Sequence, residues 1–169
     1  MPPGNDDAMP RKTVLRDYQQ TAISRWLSNG SVGILEMATG AGKTKTAIGA
    51  VSALRSQHKQ LFVIVACPYI HLADQWADEL TAAGHIPLQC FEDGNRWETP
   101  LNNAIVEFNL GARDSVYVIT THTSFANRRM QEALSKLNSQ SVVIVADEVH
   151  HLGTVSAALA LPRSIPWRL

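Results

Sequence analysis

The chain has 169 residues, about one domain's worth of polypeptide, and 45% of them are hydrophobic, enough to fill a core. Its 15 Lys and Arg balance 15 Asp and Glu, and a formal net charge of zero excludes the basic footprint of a stand-alone nucleic-acid-binding domain. Cys67 and Cys90 are far apart and lack metal-type spacing, which argues against a zinc site and fits a reducing, cytoplasmic compartment.

The opening "MPPGNDDAMPRK" is polar and proline-rich, so residues 1–13 are expected to form a mobile leader, and without an apolar signal region secretion is not expected. No apolar run approaches the roughly 18 residues that cross a bilayer, so no membrane partner is expected. From Val14 to Leu27 apolar residues recur at helical spacing, and "SNG" stops the helix. Five apolar runs of strand length follow: "VGILEM", "LFVIVAC", "PLQCF", "VYVIT" and "SVVIVA". Between them the pattern predicts helices over Thr44–Arg55, about Leu72–Ala83, Asn102–Leu110 and Phe125–Leu137. Strands apolar on both faces that alternate with helices predict an α/β fold, a doubly wound and mostly parallel sheet with helices on both faces. Its ligand belongs at the carboxyl ends of the strands.

"ILEMATGAGKT", from Ile34 to Thr44, begins as an apolar run and ends in Gly-Ala-Gly, a lysine and a threonine. Backbone N–H groups of Thr39, Gly40, Ala41 and Gly42 can form an anion cradle that opens into a helix N-terminus. Lys43 would reach the β- and γ-phosphates of a nucleotide, and the Thr44 hydroxyl would ligate Mg²⁺. The pattern GxxxxGK[ST] is met except at its first glycine, where Met37 stands. A strand-to-helix turn with an exposed lysine is the plainer alternative.

If Lys43 holds phosphate, the metal needs a carboxylate at the end of a nearby buried strand. "SVVIVADEVHH" supplies two: the run Val142 to Ala146 leads straight into Asp147 and Glu148. Adjacent acids after such a run are costly unless solvated, paired or bound to a cation. Asp147 is the candidate Mg²⁺ ligand, and Glu148 the group that orients and deprotonates the attacking water. Two solvated acids at a strand end would look the same in isolation.

Taken together these segments resemble superfamily 2 helicases and translocases. "DEVHH" resembles their DEAH-type box and "MATGAGKT" their motif I, so a RecA-like P-loop NTPase domain using ATP and Mg²⁺ is implied. "LRDYQQTAI" resembles the glutamine motif, which implies that Gln19 reads adenine with Arg16 close by. "ACPYIHLADQW" is similar to motif Ia and "ITTHTSF" to motif Ib, implying nucleic-acid contacts at Pro68, Tyr69, Thr121 and Ser124. Tyr69 departs from the usual threonine. His150 matches the position that links the ATP site to a second motor domain. The combination "LRDYQ", "LADQW", "DEVHH" is most similar to the motors of type I and type III restriction enzymes. The resemblance runs from Leu15 to His151 and implies DNA as the track, with restriction or modification subunits as possible partners. It further implies that residues 14–169 are an N-terminal RecA-like domain ending before motif III, without the second RecA-like domain and its arginine finger. Such a piece is expected to bind ATP–Mg²⁺ weakly and hydrolyse little.

Plainer readings stay open for several residues. Gln19 suits the polar face of an amphipathic helix, while Leu72 and Trp76 fit a core-facing stripe. Thr121, Thr123 and Ser124 fit a helix cap. Cys67 fits a small buried apolar residue, and Arg128 with Arg129 a solvated helix face. For the whole domain, the alternative to a motor is a nucleotide-gated scaffold without productive hydrolysis.

Overall fold

A computed structural model of the chain describes residues 14–148 and 165–169. The leader expected over residues 1–13 lies outside them.

β1 (Leu61–Cys67) is buried along its whole length. It pairs in parallel with β3 (Ser115–Thr121) on one side and with β4 (Val142–Ala146) on the other. The short β2 (Leu88–Gln89) extends the sheet beyond β3, and β5 (Trp167–Arg168) extends it beyond β4, both in parallel. The order is β2-β3-β1-β4-β5. This is the doubly wound parallel sheet that the alternating pattern predicts.

Because strand side chains alternate, β1 serves both layers at once. Its odd positions, Leu61, Val63, Val65 and Cys67, pack with α1 (Asp17–Ser28), α2 (Lys43–Gln57) and α3 (Ile70–Ala82) through residues such as Trp26, Leu54 and Leu80. Its even positions, Phe62 and Ile64, pack with α4 (Gly94–Asn109), α5 (His122–Phe125) and α6 (Arg128–Leu134) through Leu101, Phe108, Phe125 and Met130. That two-sided burial is why the strands read as continuous apolar runs rather than alternating ones.

Three expectations need correction. "VGILEM" is not a strand: Val32 makes an isolated bridge to Arg168, Ile34 is 75% exposed, and the run past Gly33 is irregular. β5 occupies the place beside β4, accepting from Gly33 N and donating to Ser31 O through Arg168, and Trp26 Nε1 clamps it by donating to the Arg168 carbonyl at 2.9 Å. A run with strand propensity becomes a strand only where a ladder is available. The helix expected from Asn102 starts eight residues earlier at Gly94, capped by Asp93, and Pro100 lies inside it. Burying Trp97 and Leu101 offsets the hydrogen bond that Pro100 cannot make. The helix expected over Phe125–Leu137 is broken in two by Asn127, whose side chain accepts from Arg129 N and caps α6.

Phe62 is fully buried and meets Phe108 edge-on at 5.3 Å between ring centroids. Phe62→Ala is expected to cost about 3 to 5 kcal/mol through lost burial and the cavity left behind. Urea unfolding of the two proteins measures this, and a loss below about 1 kcal/mol would show a core that collapses into the gap.

Candidate active site

The glycine-bearing loop meets α2 at Gly42, which sits at φ 83° as the N-cap, and Gly40 is likewise left-handed at φ 80°. These are the two positions where glycine is required. The non-glycine residues at positive φ among the described ones are Ser31, Glu92 and Glu148, so Met37, the departure from the full glycine pattern, carries no left-handed backbone strain. No side chain caps α2 and its first turn holds no acid, yet Lys43 and Lys45 lie there. Cations at the positive end of a 15-residue helix are the wrong sign for helix stability. The arrangement suits an anion bound across the loop.

α1 braces this loop. Gln19 is 5% exposed, and its Nε2 donates to the carbonyls of Ala41 and Gly42 at 3.3 Å each. Its Oε1 accepts from Arg16 N at 2.9 Å, which also caps α1. Tyr18, which the sequence pattern places only in the apolar stripe of the first helix, adds its hydroxyl to the Ala41 carbonyl at 2.8 Å, and Arg16 Nη1 donates to that same hydroxyl at 3.3 Å. Its spacing on α1 gave no signal, because the partner is a loop carbonyl 23 positions away. Packing is tight enough that a Cβ on Gly42 would lie 2.7 Å from Gln19 Nε2.

Across the sheet, Asp147 N donates to the Ala66 carbonyl at 2.8 Å, carrying the β1–β4 ladder one step past β4. Asp147 Oδ2 accepts from Trp76 Nε1 at 2.9 Å. Glu148 turns left-handed, φ 52°, and its Oε1 lies 3.5 Å from Lys43 Nζ. The loop and the acid pair, 105 positions apart in sequence, thus face each other in a cleft of about 910 Å³. Arg16, Gln19, Thr39, Gly40, Ala41, Gly42, Lys43, Thr44, Asp147 and Glu148 all line it. A triphosphate with Mg²⁺ fits this donor set. The left-handed glycines leave room over the loop, and Thr44 and Asp147 supply the few oxygens that Mg²⁺ takes from protein when phosphates supply the rest.

Pro68 and Tyr69 follow β1, with Tyr69 exposed at the start of α3 and stacked on His71 at 5.6 Å. Thr121 and Ser124 lie beside them at the end of β3, since Cys67 and Thr121 are register partners. Thr121 Oγ1 accepts from Ser124 N and donates to Ser124 Oγ, so of the hydroxyls expected to cap a helix it is Thr121's that caps α5. His150 lies outside the described residues. Trp76 is in the core stripe as its spacing predicts, but its N–H also enters the site.

Gly42→Ala should destabilise the fold by about 1 to 2 kcal/mol from the left-handed backbone alone, with a further loss as Gln19 is displaced. Equilibrium denaturation would show it, and a neutral or stabilising outcome would mean the loop relaxes freely. Burial pushes the Cys90 thiol up to about 12, and the Cys67 thiol rises for the same reason with the nearby Asp147 charge adding to it. The fold therefore holds both thiols protonated. The stability this contributes is present below their ordinary value of 9.0 and is lost as pH rises from there toward 12. Both cysteines should resist a thiol-reactive dye at pH 8 in the native protein and react promptly in denaturant; rapid labelling of the native protein would contradict this.

The family model described as type III restriction enzyme, res subunit, matches residues 12–162. The DNA 3'-5' translocase XPB2 of Sulfurisphaera tokodaii is 30% identical over 164 residues, which are 94% of this chain and 30% of that protein. The structure of a nuclease-deletion mutant of the type ISP restriction-modification enzyme LlaGI, in complex with a DNA substrate mimic, superposes with a TM-score of 0.73 at 21% identity, covering 93% of this chain and 17% of that one. The chain thus spans less than a third of the length of either relative. Among the described residues no helix is long and apolar enough to cross a membrane. On its sequence match and its sheet, the chain belongs to the type III restriction enzyme res-subunit family and is a superfamily 2 helicase-type, ATP-binding motor domain of RecA-like P-loop build.

Proposed function

We propose that this domain is the N-terminal ATP-binding half of a nucleic-acid-dependent ATPase that translocates on DNA. The observation that carries the proposal is the approach of Lys43 Nζ to Glu148 Oε1, 3.5 Å, beside Asp147 and over the glycine loop. A scaffold without hydrolysis has no need to hold a phosphate-directed cation against Glu148. DNA is favoured over RNA because the relative from Sulfurisphaera tokodaii is a DNA translocase. Restriction or modification subunits are the partners that family membership suggests.

The residues divide the work by position. Loop N–H groups from Thr39 to Gly42, of which Ala41 N must release its bond to the Ala38 carbonyl, and the N-terminus of α2 bind the phosphates, and Lys43 neutralises the β- and γ-oxygens. Thr44 and Asp147 would hold Mg²⁺, which would supply further positive charge at the phosphates. Glu148 accepts the proton of the attacking water. Gln19 already spends its amide on the loop and on Arg16 N, so it reads adenine only by sharing or exchanging those bonds. Pro68, Tyr69, Thr121 and Ser124 mark the track for one nucleic-acid strand at the carboxyl edge of the sheet. With zero net charge behind them, that contact is phosphate-directed and weak in the 169-residue chain. His150 is the proposed link to a second motor domain, whose arginine would stabilise the charge that develops at the γ-phosphate.

The test is binding and turnover together. Lys43→Ala should weaken Mg²⁺-dependent binding of an ATP analogue to this chain about tenfold or more, the worth of one charged hydrogen bond. In the protein carrying both motor domains, DNA should stimulate phosphate release, and Glu148→Gln should cut it by about 10²- to 10⁴-fold while ATP stays bound. Unchanged binding by the lysine variant removes Lys43 from the site. ATP bound but not hydrolysed by the two-domain protein on DNA would favour the scaffold.

A further inference from the structure

Trp76 stands on α3, two turns beyond Tyr69, and is 4% exposed. Its place in an apolar stripe accounts for the ring. It does not account for the Nε1–H, which donates to Asp147 Oδ2 at 2.9 Å. A buried indole N–H usually finds some acceptor, but this fold does not impose one. Of the other two buried tryptophans, Trp26 uses a backbone carbonyl, and Trp97 Nε1 has no partner among the described residues. Trp76 alone of the three is bonded to a carboxylate, and that carboxylate is the strand-end acid of the cleft.

We infer that Trp76 is a positioning residue for the cation at Asp147. The indole engages Oδ2 and so offers Oδ1 to the metal, fixing the rotation of the carboxyl group before the nucleotide arrives. It also keeps Asp147 apart from Lys43, whose ion pair goes to Glu148 instead. A partner behind a metal-binding carboxylate orients it, and removing such a partner typically weakens metal binding or activity by about 10- to 100-fold. This rests on the proposal that the cleft takes ATP with Mg²⁺, and the two can fail separately.

Trp76→Phe keeps a ring in the stripe and removes the donor. Titrations of MgCl₂ at fixed non-hydrolysable ATP analogue, and of the analogue in chelator, are compared with the parent. The inference expects unchanged affinity for the metal-free analogue and an apparent Mg²⁺ affinity about tenfold weaker. Equal Mg²⁺ affinity in the two proteins overturns it, as does an equal loss with and without metal, which would mark Trp76 as structural only. If the variant does not fold, the parent labelled with ¹⁵N-indole tryptophan decides. MgCl₂ added with the analogue should shift the Trp76 Nε1–H resonance and leave that of Trp26 in place, and an unmoved Trp76 signal overturns the inference. A parent that binds the analogue without regard to Mg²⁺ would take down the ATP–Mg²⁺ proposal itself.

Discussion

The parallel ladder between β1 and β4 is the constraint on which the cleft depends. It ends with Ala66 facing Ala146, and one further bond, Asp147 N to the Ala66 carbonyl, pins the first residue after β4 to the central strand. The same strand pairs Cys67 with Thr121 on its other side. Three segments rich in polar groups therefore leave the sheet at one level and at one edge, as the carboxyl ends of parallel strands must. Slipping β4 by one residue would turn Asp147 to the other face of the sheet, because strand side chains alternate.

Electrostatics at that edge are left deliberately unfinished by the protein itself. α2 begins with two lysines and no acid, uncapped by any side chain. Glu148 supplies one counter-charge at 3.5 Å, with both partners about a third exposed, so the pair is screened and readily exchanged for a stronger anion. What holds the loop in shape is a set of neutral hydrogen bonds from α1. Gln19 and Tyr18 grip the Ala41 and Gly42 carbonyls, and within the turn Ala41 N donates to the Ala38 carbonyl at 3.1 Å.

Two neighbouring aspects of the edge differ in character. Around Asp147 the surroundings are tight and partly apolar, with Trp76 behind the carboxylate and Cys67 held as a neutral thiol next to it. Tyr69 by contrast is exposed, while Thr121 beside it is buried and its hydroxyl is spent on Ser124. A site for a small charged ligand needs the first kind of setting, where few waters dilute the field.

Much of this was legible in the amino-acid sequence. Runs apolar on both faces, such as Leu61–Cys67 and Val142–Ala146, can be buried only inside a covered parallel sheet, so the layers follow from local pattern. Gly40, Gly42, Lys43 and the Asp147–Glu148 pair were visible because backbone angles and charge restrict those positions to few residue types. The tertiary structure decided what depends on partners distant in sequence. It gave the ladder position beside β4 to Trp167–Arg168 and not to "VGILEM", because the edge admits one neighbour and the Trp26 indole holds the one that is there. It carried α4 through Pro100, because burying Trp97 and Leu101 outweighs one hydrogen bond. It also set Tyr18 on the loop and Trp76 on Asp147, contacts spanning 23 and 71 positions that no local periodicity encodes.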